Sequence, residues 1–314
     1  MGVKLADLNT LENGWLLFNS IAESWVKELL RLRTEENGGF LLNSFANDQL
    51  VEDDIVLLGQ VEQDGFKELS AILPGTKRRV VAVDGSVVQL GFVGGRALLS
   101  LKAAIVEREG RSLRVKVVGP LPKLAWIDEN APSSDTVALL ELRRFEAMIQ
   151  RLVARTAGDA LLLFDMPLTR MADLTISGDG TTVVGIAKNS VLATHLGRSL
   201  ARSGSLALLA RRLPQDPIVG AEISVTVVRL APNGLAFRAD VMPADRWVES
   251  LSDLAASDAL ISGYPETLAM AHAFSRHSWI EVVASKAVLE KRLGLKLVDE
   301  LDVRGAVLLP FDGR

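Results

Sequence analysis

Two aspartates each close a run of apolar residues: Asp84 after Val80-Val81-Ala82-Val83, and Asp165 after Leu161-Leu162-Leu163-Phe164. An acid at the end of a buried strand is where a divalent cation can be held against a reacting phosphate. Hydrolysis of a phosphodiester without a covalent intermediate needs water activated and charge stabilised on both the attacking and the leaving oxygen. Two ions about 3.5 to 4 Å apart, held by bridging or flanking carboxylates, do both. Gly85, directly after the first aspartate, would let the backbone pass close to a metal. A third acid could come from the helix between the two strands. Glu141 and Glu146 both border its apolar stripe of Leu142, Phe145 and Ile149, and helical spacing alone does not choose between them. For one aspartate alone, starting a turn is an equally good explanation. Two of them, with helix acids between, weigh against it.

Composition narrows the chemistry. The 314 residues contain no cysteine and only three histidines, His195, His272 and His277. Disulfides, thiolate zinc sites and a cysteine nucleophile are excluded, and a carboxylate-dominated site favours magnesium or manganese over zinc. A net charge of −4 argues against a generally basic nucleic-acid coat. Local basic clusters remain at Lys77-Arg78-Arg79, Arg143-Arg144, Arg198 to Arg202 and Arg211-Arg212. No apolar run approaches the roughly 20 residues of a membrane span, and the N-terminus lacks a secretory layout. The expectation is a soluble, cytoplasmic protein.

The elements that must position these residues follow from periodicity. Apolar residues from Leu11 to Leu32 suit an amphipathic helix, and a second helix is expected between about Glu62 and Leu73, ended by Pro74-Gly75. Arg79 to Val83 reads as a buried central strand, with further strand-like runs at Val87 to Val93, Ala97 to Val106 and Leu113 to Val118 and a hairpin turn at Glu109-Gly110-Arg111. A helix follows, patterned by Ala138, Leu142, Phe145, Ile149 and Leu152, then a strand from Asp159 to Asp165. This order predicts an α/β chain with a ribonuclease H-like mixed β-sheet flanked by helices. Further on, Val183 to Ile186 is a short strand, Ser190 to Leu213 is expected to be helical, and Glu222 to Leu230 and Leu235 to Val241 flank the turn Pro232-Asn233-Gly234. Glu266 to Phe274 and Trp279 to Leu293 read as helices. The predicted organisation is an N-terminal helical extension, residues 1–75, and one elaborated domain, residues 76–314.

Four blocks, in order, resemble the NurA family of nucleases: Ala82-Val83-Asp84-Gly85-Ser86; Leu161 to Asp165 after an acidic helix; Gly185-Ile186-Ala187-Lys188-Asn189-Ser190; and Gly263-Tyr264-Pro265-Glu266 leading into Ala271-His272. The resemblance implies manganese-dependent cleavage of single- and double-stranded DNA, as a single-strand endonuclease and 5′-3′ exonuclease in double-strand break end resection. It further implies two ions, manganese or magnesium, and a homodimer docked on a HerA-type hexameric helicase. By that resemblance Asp84, Glu146, Asp165 and His272 are the catalytic and metal-binding residues. Lys188 would neutralise a phosphate, and Tyr264 would orient a phosphate or stack on a base. His195 and His277 match no block and are expected to be structural or exposed. The N-terminal segment up to Gly75 matches none either; its helix, with Trp15 and Trp25, suits a dimer interface or core packing. The chain departs from the pattern at Met166-Pro167, where small residues are usual, and this pair is expected to stiffen the turn and crowd the metal.

Two other readings remain open at this level. A helicase-binding scaffold that cuts poorly would account for Met166-Pro167 and the acidic net charge. An actin- or sugar-kinase-like ATPase could use Asp84-Gly85-Ser86 and Ser177-Gly178-Asp179-Gly180-Thr181 as phosphate loops, but the glycine-rich adenosine segment it needs has no counterpart here.

Overall fold

A computed structural model describes residues 67–69, 74–93, 96–126, 134–168, 180–188, 190–197, 200, 206–212 and 222–293. After a short strand β1 (Lys67–Leu69) come three long ones, β2 (Val80–Val93), β3 (Arg96–Glu109) and β4 (Ser112–Trp126). Helix α1 (Ser134–Thr156) leads to β5 (Leu161–Phe164) and β6 (Thr182–Ala187). Next are α2 (Val191–Leu196), β7 (Leu206–Arg212), β8 (Ile223–Val228) and β9 (Phe237–Met242). The chain continues through α3 (Trp247–Ser257), the two-stranded ribbon β10 (Leu260–Ile261) and β11 (Tyr264–Pro265), then α4 (Glu266–Ser275) and α5 (Trp279–Leu293).

Nine strands form one sheet in the order β1-β7-β8-β9-β6-β5-β2-β3-β4 among the described residues. β2, β3 and β4 are an antiparallel meander, turned at Gly110, whose φ of +58° suits a residue without a side chain. β5 runs parallel to β2, and β6 parallel to β5. A meander, a helix, and then strands parallel to the first is the ribonuclease H-like arrangement the sequence predicts. β9, β8 and β7 extend it antiparallel on the far side.

Side chains alternate across the sheet, and the two faces have different covers. Val80 and Ala82 of β2, with Leu161 and Leu163 of β5, face a core completed by Trp247, Leu251 and Leu254 of α3 and Leu268 and Ala271 of α4. Val81 and Val83, with Leu162 and Phe164, face Phe145, Ile149 and Val153 of α1. The near-continuous apolar runs therefore have a physical cause: both faces are covered.

Several expectations change. The runs on either side of Gly85 are one strand, so Asp84 lies inside β2 rather than at its end. Gly85 pairs with Ala103 without breaking the ladder. The predicted helix from Ser190 to Leu213 is a single helical segment, α2, followed by β7, where pairing of Leu206 through Arg212 with β8 overrides the helix propensity of leucine and alanine. Within the helix expected from Glu62 to Leu73, Lys67–Leu69 is instead a strand paired with β7. Helix α3 was not expected at all; Pro243 and the polar residues around it obscure its start. The helix expected from Leu11 to Leu32 lies outside the described residues.

The turn after β5 is pressed against β6. A Cβ on Gly185 would lie 2.3 Å from the carbonyl oxygen of Met166 and 2.9 Å from two side-chain carbons of Leu168. Gly185→Ala is expected to push this turn off the sheet and destabilise the protein by about 2 kcal/mol, the range of core overpacking. Equilibrium denaturation would measure it, and an unchanged midpoint would contradict the close packing.

Candidate active site

The alternation that builds the core also aims the polar residues. Asp84 continues the Val80, Ala82 side of β2, Asp165 follows Leu163 on the same side of β5, and Lys188 follows Ile186 beyond β6. All three thus project toward the face covered by α4 and β11. Across it, His272 Nδ1 lies 2.9 Å from Asp84 Oδ2, and Ser275 Oγ shares its one proton between that oxygen at 3.1 Å and the His272 carbonyl at 3.0 Å. His272 and Ser275 are three residues apart on α4 and so share a helix face. Asp165 is held from both sides, by Lys188 Nζ at 2.6 Å on Oδ2 and by the Tyr264 hydroxyl at 3.1 Å on Oδ1. The Lys188 ammonium also sits 4.7 Å from the centre of the Tyr264 ring.

Glu146 reaches the same place from the opposite face. Its Oε1 accepts a hydrogen bond from the Gly85 backbone N–H at 3.1 Å. A Cβ on Gly85 would lie 2.7 Å from Glu146 Cγ and 2.9 Å from Oε1, so the missing side chain is the space the glutamate occupies. The helix acids, equivalent on spacing, are distinct here: Glu141 pairs with Arg144 at 2.6 Å on α1 itself.

Among the described residues, Asp84, Asp165 and His272 offer ligand atoms all within 4.8 Å of one another. Glu146 is not part of that set; the oxygen facing Gly85 is already engaged. Burial raises the Glu146 carboxyl to about 8, helped by the negative charges of Asp84 and then Asp165 and opposed by the Gly85 hydrogen bond. Asp84 is raised as well, first by burial and then by Asp165, with His272 and Ser275 acting against the shift. Asp84 and Asp165, beside a half-exposed imidazole, fit a divalent cation with oxygen and nitrogen donors.

The other expected residues fare differently. Tyr264 is only 8% exposed, stacks edge-on against Phe237 and gives its hydroxyl to Asp165, so it orients a carboxylate and is not free to stack on a base. Lys188 stands at Asp165, with its side chain 37% exposed. His195 is exposed on α2, while His277 is clasped between Ser86 and Ser100. Met166 packs into the core under α1, its sulfur accepting from Gln150 at 3.6 Å, and Pro167 is buried. Ser275 escaped the sequence reading, although its spacing of three from His272 marks it.

Glu146 gives a pH signature. In the metal-free protein the carboxyl keeps its proton up to about 8, whereas the unfolded chain loses it near 4.5. Between those values the folded state binds the extra proton, so stability falls as pH rises across the window. Thermal unfolding in chelator from pH 5 to 8 should show this decline, and Glu146→Gln, which keeps an acceptor for Gly85, should flatten it and unfold higher at pH 8. An unchanged slope in the variant would remove Glu146 as its source.

The comparisons with known proteins agree with this architecture. The NurA domain model matches residues 78–276. Among solved structures, the NurA nuclease from Sulfolobus solfataricus superposes with a TM-score of 0.53 at 17% identity, over 78% of this chain and 94% of that one. A NurA structure bound to dAMP and manganese gives 0.52 at 12% identity, over 79% and 98%. A NurA structure with manganese gives 0.51 at 12% identity, over 78% and 98%. At such identities the likeness is one of fold. No match is found among curated proteins. With the domain model spanning well over half of its residues, and every site residue described above lying within the match, the chain belongs to the NurA family.

Proposed function

We propose that this protein is a divalent-metal-dependent DNA nuclease. The observation that carries the reading is the convergence of Asp84, Asp165 and His272, with ligand atoms within 4.8 Å, on one face of a ribonuclease H-like sheet. The manganese held by two NurA relatives of the same fold supports it, as does the nucleotide dAMP in one of them.

Asp84, Asp165 and His272 would hold one manganese or magnesium ion, and a second would draw on Glu146 together with Asp84. When bound, such ions supply Lewis-acid stabilisation of charge on the phosphate oxygens. The chain's own residues do the rest. Tyr264 fixes the direction of Asp165, Ser275 fixes that of Asp84, and Gly85 anchors Glu146. Lys188, partly exposed beside Asp165, offers a positive charge to the scissile phosphate. His272, with half of its side chain exposed, is placed to hold or pass a proton at the edge of the site.

The wider role is proposed from family membership: cutting single- and double-stranded DNA, as endonuclease and 5′-3′ exonuclease, during end resection, as a homodimer working with a HerA-type hexameric helicase in the cytoplasm. No described helix is long and apolar enough to cross a membrane.

The test is cleavage of 5′-labelled single-stranded DNA with manganese. Asp84→Ala is expected to lower the rate by more than about 100-fold, the effect of removing a direct ligand from a metal-assisted hydrolysis. Lys188→Ala should lower it by about 10-fold. Equal activity in wild type and Asp84→Ala would move the active site elsewhere. Inert wild-type protein, even with a partner ATPase present, would favour a scaffold.

A further inference from the structure

The segment joining α4 to α5 is fastened to the sheet by side chains that touch neither Asp84 nor Asp165. His277 bridges two strands, with Nδ1 3.0 Å from Ser86 Oγ on β2 and Nε2 3.0 Å from Ser100 Oγ on β3. Ser86 Oγ donates to the carbonyl oxygen of Ser275 at 2.5 Å. A hydroxyl has one proton, so Ser86 must accept from His277 Nδ1–H. Nε2 then carries a lone pair and accepts from the Ser100 hydroxyl. The bonds run one way, from Ser100 through His277 and Ser86 to the Ser275 carbonyl. Burial and the charge of Lys102 lower the pKa of His277, in keeping with the neutral ring this direction requires.

Two further fasteners act on the same segment. Lys102, only 7% exposed, donates to the Arg276 carbonyl at 3.1 Å and to Glu281 Oε1 at 2.7 Å. Ser278 and Glu281 close a capping box at the start of α5: the Ser278 backbone N–H donates to Glu281 Oε2 at 2.7 Å, and the Glu281 N–H to Ser278 Oγ at 3.2 Å.

Asp84 and Ser86 point the same way about 7 Å apart along β2. Ser275 spans that interval, its hydroxyl on Asp84 and its carbonyl on Ser86. One turn earlier on the same helix, His272 meets the same Asp84 oxygen. The end of α4 therefore meets β2 at both Asp84 and Ser86, and His277 lies directly behind the second of these contacts.

We propose that His277 is a positioning residue of this active centre: by tying β2 to β3 through Ser86 and Ser100, it holds the end of α4 where Ser275 and His272 both reach Asp84. The proposal rests on the metal-site reading above. It assigns to His277 a role in metal binding and turnover without contact with metal or DNA.

The test compares full-length wild type with His277→Phe, which keeps bulk but removes both hydrogen bonds, and with His277→Asn, whose amide can still donate toward Ser86. Manganese binding is measured by titration calorimetry, and amide hydrogen exchange across residues 272–278 is followed in chelator. The Phe variant is expected to bind manganese about 10-fold more weakly and to lose about 10-fold in kcat, with KM for single-stranded DNA within about twofold, the scale of losses at groups that orient metal ligands. Its exchange should accelerate over residues 272–278 and not over α1. The Asn variant should recover most of each loss. Wild-type manganese affinity and exchange in the Phe variant would overturn the proposal, as would a uniform rise in exchange with Asn no better than Phe. If the Phe variant does not fold, Ser100→Ala removes one end of the bridge and is expected to give the same pattern at about threefold. Wild-type protein that cuts no DNA would defeat the nuclease reading, yet the exchange comparison would still decide the role of His277.

Discussion

Placing Asp84, Asp165 and Glu146 together opposes folding, because burial and then the neighbouring negative charges raise the cost of ionising Asp84 and Glu146. The surrounding structure answers that cost residue by residue. Asp84 has His272 and Ser275, Asp165 has Lys188 and Tyr264, and Glu146 has one backbone N–H and otherwise retains a proton. The sheet supplies the geometry: parallel pairing of β2 with β5 sets two aspartates side by side, and strand alternation turns both toward α4. Gly85 then opens the one point at which an acid on the other face can enter.

Much of this was legible in sequence, for reasons that can be named. Strands covered on both faces are apolar without interruption, so an aspartate directly after Val83 or Phe164 stands out against them. The helical stripe of Phe145 and Ile149 announced α1, and the order of elements announced the arrangement of the central strands. What stayed hidden was decided by contacts between distant segments. The choice of Glu146 over Glu141 depends on which turn of α1 crosses Gly85, and that crossing angle has no local signal. The strand Leu206–Arg212 has a helix-forming composition and is a strand because β8 pairs with it. Tyr264 could be marked as important, but its role as a support for Asp165 rests on burial against Phe237. His277 was passed over because the serines it joins lie on two different strands.

The polar supports are also layered by distance from the chemistry. His272, half exposed, faces solvent, while Ser275 beneath it is fully buried. Behind them, the hydroxyls of Ser86 and Ser100 and the ammonium of Lys102 replace apolar contacts on β2 and β3. Hydrogen bonds are directional where apolar contacts are not, so this part of the sheet fixes position as well as supplying cohesion.

The span of chain between the partners has a consequence for biosynthesis. Asp84 and His272 are 188 positions apart, and Ser86 meets the carbonyl of a residue 189 positions away. The central strands and α1 can emerge from the ribosome and assemble while His272 is still unmade. The candidate site thus remains incomplete until α4 has been made, and a truncated product ending before α4 would carry Asp84 and Asp165 without His272.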